Sequence, residues 1–115
     1  MRVDMMDIKV RIWDGNNGRF DYPDVLELDI GLEYQQYTGL QDRTGREIYE
    51  GDICNLAVGN GLYETGLIDF FQGCFIFISN SGMQYPNEYL LLGVFDGHIT
   101  GNIHENPELL ESERG

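Results

Sequence analysis

The chain of 115 residues carries 20 acidic and seven basic side chains, a formal net charge of −13. That imbalance excludes a broad phosphate-coating role, because wrapping a nucleic-acid backbone needs clustered Lys and Arg. The charge is also uneven: residues 1–46 hold six cations against nine acids, whereas residues 47–113 hold eleven acids and no Lys or Arg. The length fits one compact domain, or one small domain with an appendage. With 42% hydrophobic residues the chain can fill a core, so disorder is expected only at the ends. Asp4 and Asp7 interrupt the start of the chain where a secretion signal needs an apolar run, and no later apolar run reaches bilayer length. A soluble protein of the cytoplasm, without a membrane partner, is expected. Cys54 and Cys74 are too few for a disulfide framework and lack metal-ligand spacing, so both read as small buried hydrophobes.

Taken in order, the elements are mostly strands. A single alanine and 15 glycines argue against helices, and apolar residues recur at period two. Residues 8–13 place Ile8, Val10 and Ile12 on one strand face and Lys9, Arg11 and Trp13 on the other. The Asp14-Gly15-Asn16-Asn17-Gly18 run then turns the chain into a second strand at 19–22, a hairpin. Leu26, Leu28 and Ile30 alternate with acids in a further half-buried strand, and residues 33–38 make another. Residues 38–47 read as an irregular boundary. Beyond it, Asn60-Gly61, Gln72-Gly73 and Asp96-Gly97 separate five apolar runs at 53–58, 62–71, 74–79, 89–95 and 98–103. Asn-Gly and Asp-Gly are strong hairpin signals, since a type I′ turn needs positive φ at both central residues; Gln-Gly is weaker. Five short antiparallel strands so spaced predict a small barrel, whose closure would hide the edges of aromatic-rich strands. Asn106-Pro107-Glu108, an N-cap residue, a proline and a first-turn acid, predicts a short terminal helix. The fold class is therefore all-β: an N-terminal hairpin region over 1–45, a barrel over 46–104 and a helical tail over 105–115.

The densest polar segment is residues 37–53. Asp42 and Gly45 fit the first and fourth positions of a tight turn, and Gly51 supplies positive φ before the strand at 53. One reading is that these residues only build turns. The other is that Asp42, Glu47, Glu50 and Asp52 present carboxylates to a metal or a basic partner, although no EF-hand spacing and no nearby histidine supports a metal.

This segment resembles the central signature of the YopX-like proteins of bacteriophages and prophages: Tyr37-Thr38-Gly39-Leu40, then Asp42, then Gly45, then Ile48-Tyr49-Glu50-Gly51-Asp52-Ile53. Arg11-Ile12-Trp13-Asp14 and the run from Gly101-Asn102-Ile103-His104 to Leu109-Leu110 are similar to flanking parts of the same family. His104 stands where the family usually has Tyr, the linker before Tyr37 is short, and cations are scarce. The resemblance implies an SH3-like barrel in the second half, a phage origin and self-assembly into a ring such as a hexamer. It implies no defined catalytic or binding residues.

No enzyme class stands out. Cys54, Cys74, Ser79 and Ser81 are the candidate nucleophiles, but no local pattern links them to His98 or His104, and each histidine reads as an ordinary exposed or hydrogen-bonded side chain. No phosphate-cradling loop or dinucleotide fingerprint occurs, so no cofactor is expected. Lys9, Arg11 and Trp13, with Arg19 across the hairpin, form a candidate basic-aromatic patch for single-stranded nucleic acid, weighed against a plain solvated face. The expected function is that of a non-enzymatic accessory protein that binds itself, a host protein or a phage protein. An acidic decoy of a host nucleic-acid-binding protein and a weak single-strand binder are the alternatives.

Overall fold

A computed structural model describes residues 9–22, 33–59, 61–85 and 97–111. The protein is mainly β. A first sheet contains β1 (Val10–Asp14), β2 (Arg19–Asp21), β3 (Glu33–Gln41) and β4 (Glu47–Tyr49) in the order β2-β1-β3-β4. A second contains β5 (Asp52–Gly59), β6 (Leu62–Phe71), β7 (Cys74–Ser79), β8 (Gln84–Tyr85) and β9 (His98–Asn102) in the order β8-β7-β6-β5-β9. Every pairing among these strands is antiparallel. The predicted strands around Leu26 to Ile30 and at 89–95 lie outside the described residues. Among the described residues no pairing joins β8 to β9, so the closed SH3-like form rests on the family resemblance.

The turns follow their residues. Asp14 Oδ1 accepts the amides of Asn16 and Asn17, and Gly18 takes φ 66°, closing β1 onto β2. The Gln72-Gly73 pair adopts φ 52° and 81°, both positive, so the weaker of the sequence signals makes a tight turn between β6 and β7. The stretch 38–47 is less irregular than its composition predicts, because β3 continues to Gln41 across a bulge at Gly39 (φ 86°) and β4 begins at Glu47. Thr38 holds that bulge: its hydroxyl donates to the Ile48 carbonyl and accepts the Leu40 amide. The predicted terminal helix is a single 3₁₀ turn, Pro107–Leu110. Asn106 does not cap it; its Oδ1 instead accepts the Asn102 amide at 3.3 Å.

The core lies between the sheets. Ile48 from β4, with Leu40 from β3 beside it, packs on Cys54, Leu56, Ile68, Phe77 and Ile99 of the second sheet. Cys54 is wholly buried as expected, whereas Cys74 is exposed because alternation puts it on the face of β7 opposite to Phe75 and Phe77, which pack on the core. Gly66 sits in β6 opposite both Cys54 and Ser79, and a Cβ there would meet the Ile78 carbonyl oxygen and the Ser79 backbone. Backbone atoms cannot swing aside as a side chain does, so Gly66→Ala should cost about 1–3 kcal/mol, measured as a lower urea midpoint with an unchanged m-value.

Candidate functional site

The signature segment forms the joint between the two sheets. Arg11, the second residue of β1, is 5% exposed and points into this joint. Its Nε donates to Gln35 Oε1 at 2.8 Å and its Nη2 to Asp52 Oδ1 at 2.8 Å, while its guanidinium lies over the rings of Phe20 (3.9 Å) and Tyr49 (4.8 Å). Asp52 opens β5, so the pair ties the first sheet to the second. The other Asp52 oxygen accepts the Tyr49 amide at 2.8 Å. Burial pushes the Asp52 carboxyl above its ordinary range, and the charge of Arg11, the Tyr49 amide and the Arg11 hydrogen bond pull it back without cancelling that effect.

Between these two residues the chain turns sharply at Glu50 and Gly51. The Glu50 amide donates to the Gln36 carbonyl, and Gln36 returns its own amide to Glu50 Oε1 at 2.8 Å. Gly51 takes φ 86° and its Cβ position is already filled by the Gln35 amide group, so no larger residue fits. The Gly51 amide donates to Ile68 O and its carbonyl accepts from Ile103, which stitches this turn to β6 and to the segment after β9.

Asp42 makes a second joint. Oδ1 accepts the amides of Thr44 and Arg46 and the Thr44 hydroxyl; Oδ2 accepts the Ile99 amide at 2.9 Å. The Gly45 amide donates to the Asp42 carbonyl, closing the turn that the sequence predicts. Burial alone would raise the Asp42 carboxyl, but the Thr44 hydroxyl and the Ile99, Arg46 and Thr44 amides outweigh it and hold the carboxyl below its usual value.

The four signature acids therefore do not converge. Asp42 faces β9, Glu47 pairs with Lys9 at 2.6 Å, Glu50 bonds β3 and Asp52 bonds Arg11. No group of three or more His, Cys, Asp or Glu with metal-holding geometry exists among the described residues. The predicted basic-aromatic patch is also dispersed, and its solvated-face alternative is corrected. Arg11 is buried, Lys9 is held by Glu47, and Trp13 stacks on His104 with centroids 4.7 Å apart and planes 5° from parallel. Arg19 alone of the four is exposed with no ion pair to another described residue. The alternation of β1 does hold; the Arg11 side faces the joint because Asp52 and Gln35 satisfy its charge there.

Two roles had no signal in the sequence. Gln35 and Glu33 look like ordinary polar strand residues, yet Gln35 orients Arg11 and Glu33 Oε2 lies 2.8 Å from His104 Nε2, a contact whose angle is too poor for a hydrogen bond. Beside them is a cleft of about 300 Å³ lined by Glu33, Glu50, Asp69, Leu67, Ile103 and His104 among others. Burial, with help from Asp69, raises the Glu50 carboxyl, while the Gln36 amide and Arg11 work the other way.

Residues 8–111 match the protein family described as YopX protein, nearly the whole chain. No curated protein sequence matches it.

Two measurements test the joints. Arg11→Met leaves a buried, uncompensated Asp52 and should lower stability by about 3–5 kcal/mol; in urea titrations Arg11→Met/Asp52→Asn should lose less, since it strands no charge. For Asp42 the folded pKa lies below the unfolded one, so its stabilisation is complete above about pH 4 and is lost as pH falls through the folded value. Asp42→Asn should therefore be less stable at neutral pH and show a flatter decline of the urea midpoint at acid pH.

Proposed function

The chain belongs to the YopX protein family, and from that premise we propose that it is a non-enzymatic accessory protein of a bacteriophage or prophage, acting in the bacterial cytoplasm by binding itself or another protein. The observation that carries this reading is how the polar and apolar groups are distributed. Asp42, Glu50 and Asp52 of the signature are engaged with backbone amides and with Arg11, whereas large apolar side chains remain outside: Leu62, Phe70, Phe71 and Met83 are 40–63% exposed. Isolated exposed apolar residues are common, but several on one strand and its hairpin mark an interaction surface.

The candidate nucleophiles fit the same reading. Cys54 is buried and its burial pushes the thiol far above its ordinary range, which keeps it protonated and unreactive. The Ser79 and Ser81 hydroxyls bond each other at 2.7 Å, and Ser81 bonds Glu64, fastening the turn after β7. Lys9 and Arg11 are engaged within the chain, so among the described residues of β1 and β2 a salt-dependent contact has Arg19 to offer.

One observation favours a second reading, an acidic decoy of a host nucleic-acid-binding protein: Glu105, Glu108 and Glu111, three residues apart in and on either side of the 3₁₀ turn, are all exposed. Affinity capture from infected or lysogenic host cells, combined with light scattering of the purified chain, tests both. A specific captured protein retained in high salt, or a defined oligomer, is expected. Capture that DNA competes away and salt weakens supports the decoy; a monomer that retains no protein would refute both.

A further inference from the structure

The cleft between the two sheets is electrostatically one-sided. Glu33 of β3, Glu50 of the sharp turn and Asp69 of β6 all line it, and no Lys or Arg is among its described lining residues. Glu33 lies against His104, but neither Glu50 nor Asp69 has an ion pair to a described residue. Glu50 gives one oxygen to the Gln36 amide and Asp69 gives one to the amide of Phe70, which leaves the other oxygen of each without a hydrogen bond among the described residues. Burial and the negative charge of Asp69 both make the ionised form of Glu50 costly, and a cation within reach of the two carboxylates relieves that cost. A bare metal ion does not fit, because no three His, Cys, Asp or Glu among the described residues converge as ligands.

Gln35 asks for the opposite kind of partner. It is 7% exposed and lines the same cleft. Its Oε1 accepts from Arg11, which settles the orientation of the amide, and its nitrogen, seated over Gly51, has no hydrogen bond among the described residues. An amide NH2 only donates, so this buried group calls for an acceptor. The cleft therefore suits a group that carries a positive charge and a carbonyl oxygen side by side.

We propose that it takes the amino terminus of a partner polypeptide, the α-ammonium between Glu50 and Asp69 and the first carbonyl on the Gln35 amide. This rests on the protein-binding part of the reading above and assigns it a site. An amino terminus offers both groups within one residue, whereas Lys and Arg side chains carry donors only. At about 300 Å³ the cleft is at the small end of ligand pockets, room for a terminal residue rather than a folded surface, and Leu67 and Ile103 supply an apolar wall for its side chain. Glu33, largely exposed, adds to the attraction.

NMR titration of the ¹⁵N-labelled full chain reads the outcome. The probes are the tripeptide Ala-Leu-Ala amide, its N-acetyl form and n-butylamine, each taken to about 10 mM so that a Kd of about 1 mM is nearly saturated. The free-amine peptide should shift the side-chain NH2 signals of Gln35 and the backbone amides of Gly51 and Ile103. The N-acetyl peptide lacks the ammonium and n-butylamine lacks the carbonyl, so each should bind roughly tenfold more weakly or worse. Between about pH 7 and about pH 9 the free-amine peptide should lose roughly tenfold as its α-ammonium gives up a proton, while n-butylamine keeps its charge and its affinity. Asp69→Asn and Glu50→Gln should each weaken the peptide by roughly tenfold. Unchanged urea midpoints identify variants that fold, and Asp69→Asn alone suffices. An acetylated peptide or n-butylamine that matches the free-amine peptide, binding indifferent to both variants, or no binding of any probe overturns this site. In each of those cases a host protein captured equally by the native chain and by Asp69→Asn still sustains the parent reading through another surface.

Discussion

The fold depends on one buried charge pair. Arg11 and Asp52 belong to different sheets and are separated by 41 positions, yet their side chains meet at 2.8 Å with only 6% and 3% of their surface exposed. Desolvating two charges is costly, and the raised Asp52 carboxyl indicates that the cost is not fully recovered. What the pair contributes is specification. Gln35 fixes the guanidinium, the Phe20 and Tyr49 rings cover it, and Asp52 can reach it only if the chain turns sharply at Glu50 and Gly51. A sheet register shifted by one residue would leave Arg11 facing solvent and Asp52 stranded.

Asp42 solves a different problem in the same segment. A five-residue turn leaves amides without strand partners, and a buried amide without an acceptor costs about as much as a lost hydrogen bond. One carboxylate satisfies those of Thr44, Arg46 and, from the opposite sheet, Ile99. The Arg43 amide completes the connection by donating to Gly97. Two short-range devices thus carry long-range contacts, which explains why a turn-rich segment has so many specific residue types.

The legible part of the molecule was its local part. Period-two alternation and paired turn residues identify β6 and β7 to the residue, and Asp42, Gly45 and Gly51 take the turn roles their chemistry predicts. The illegible part was which strand face turns inward. In β1 both faces are plausible exteriors or interiors by composition, since one has Val10 and Ile12 and the other Lys9, Arg11 and Trp13. Arg11 is inside because Asp52 and Gln35 arrive from 41 and 24 residues away, and no local rule contains that information. His104 has a similar history: it reads as an isolated side chain, and only the fold sets its ring against Trp13. Cys74 looks like Cys54 in a strand of apolar neighbours, but Cys54 is on the core face of β5 and Cys74 on the face of β7 opposite to Phe75 and Phe77.

The net charge of −13 gains a different meaning once the cations are placed. The cations nearest to forming an outward basic face, Lys9 and Arg11, are bound to Glu47 and Asp52, so each takes one acid with it. The remaining described arginines, Arg19, Arg43 and Arg46, are exposed on turns or beside one, scattered over the first sheet and its connection to the second. Among the described residues the cations outside these pairs are therefore isolated points, whereas a phosphate backbone rewards clustered cations. What the inward-facing signature does with its charges is structural: Arg11 with Asp52, and Asp42 with the Ile99 amide, hold the first sheet in a fixed relation to the second.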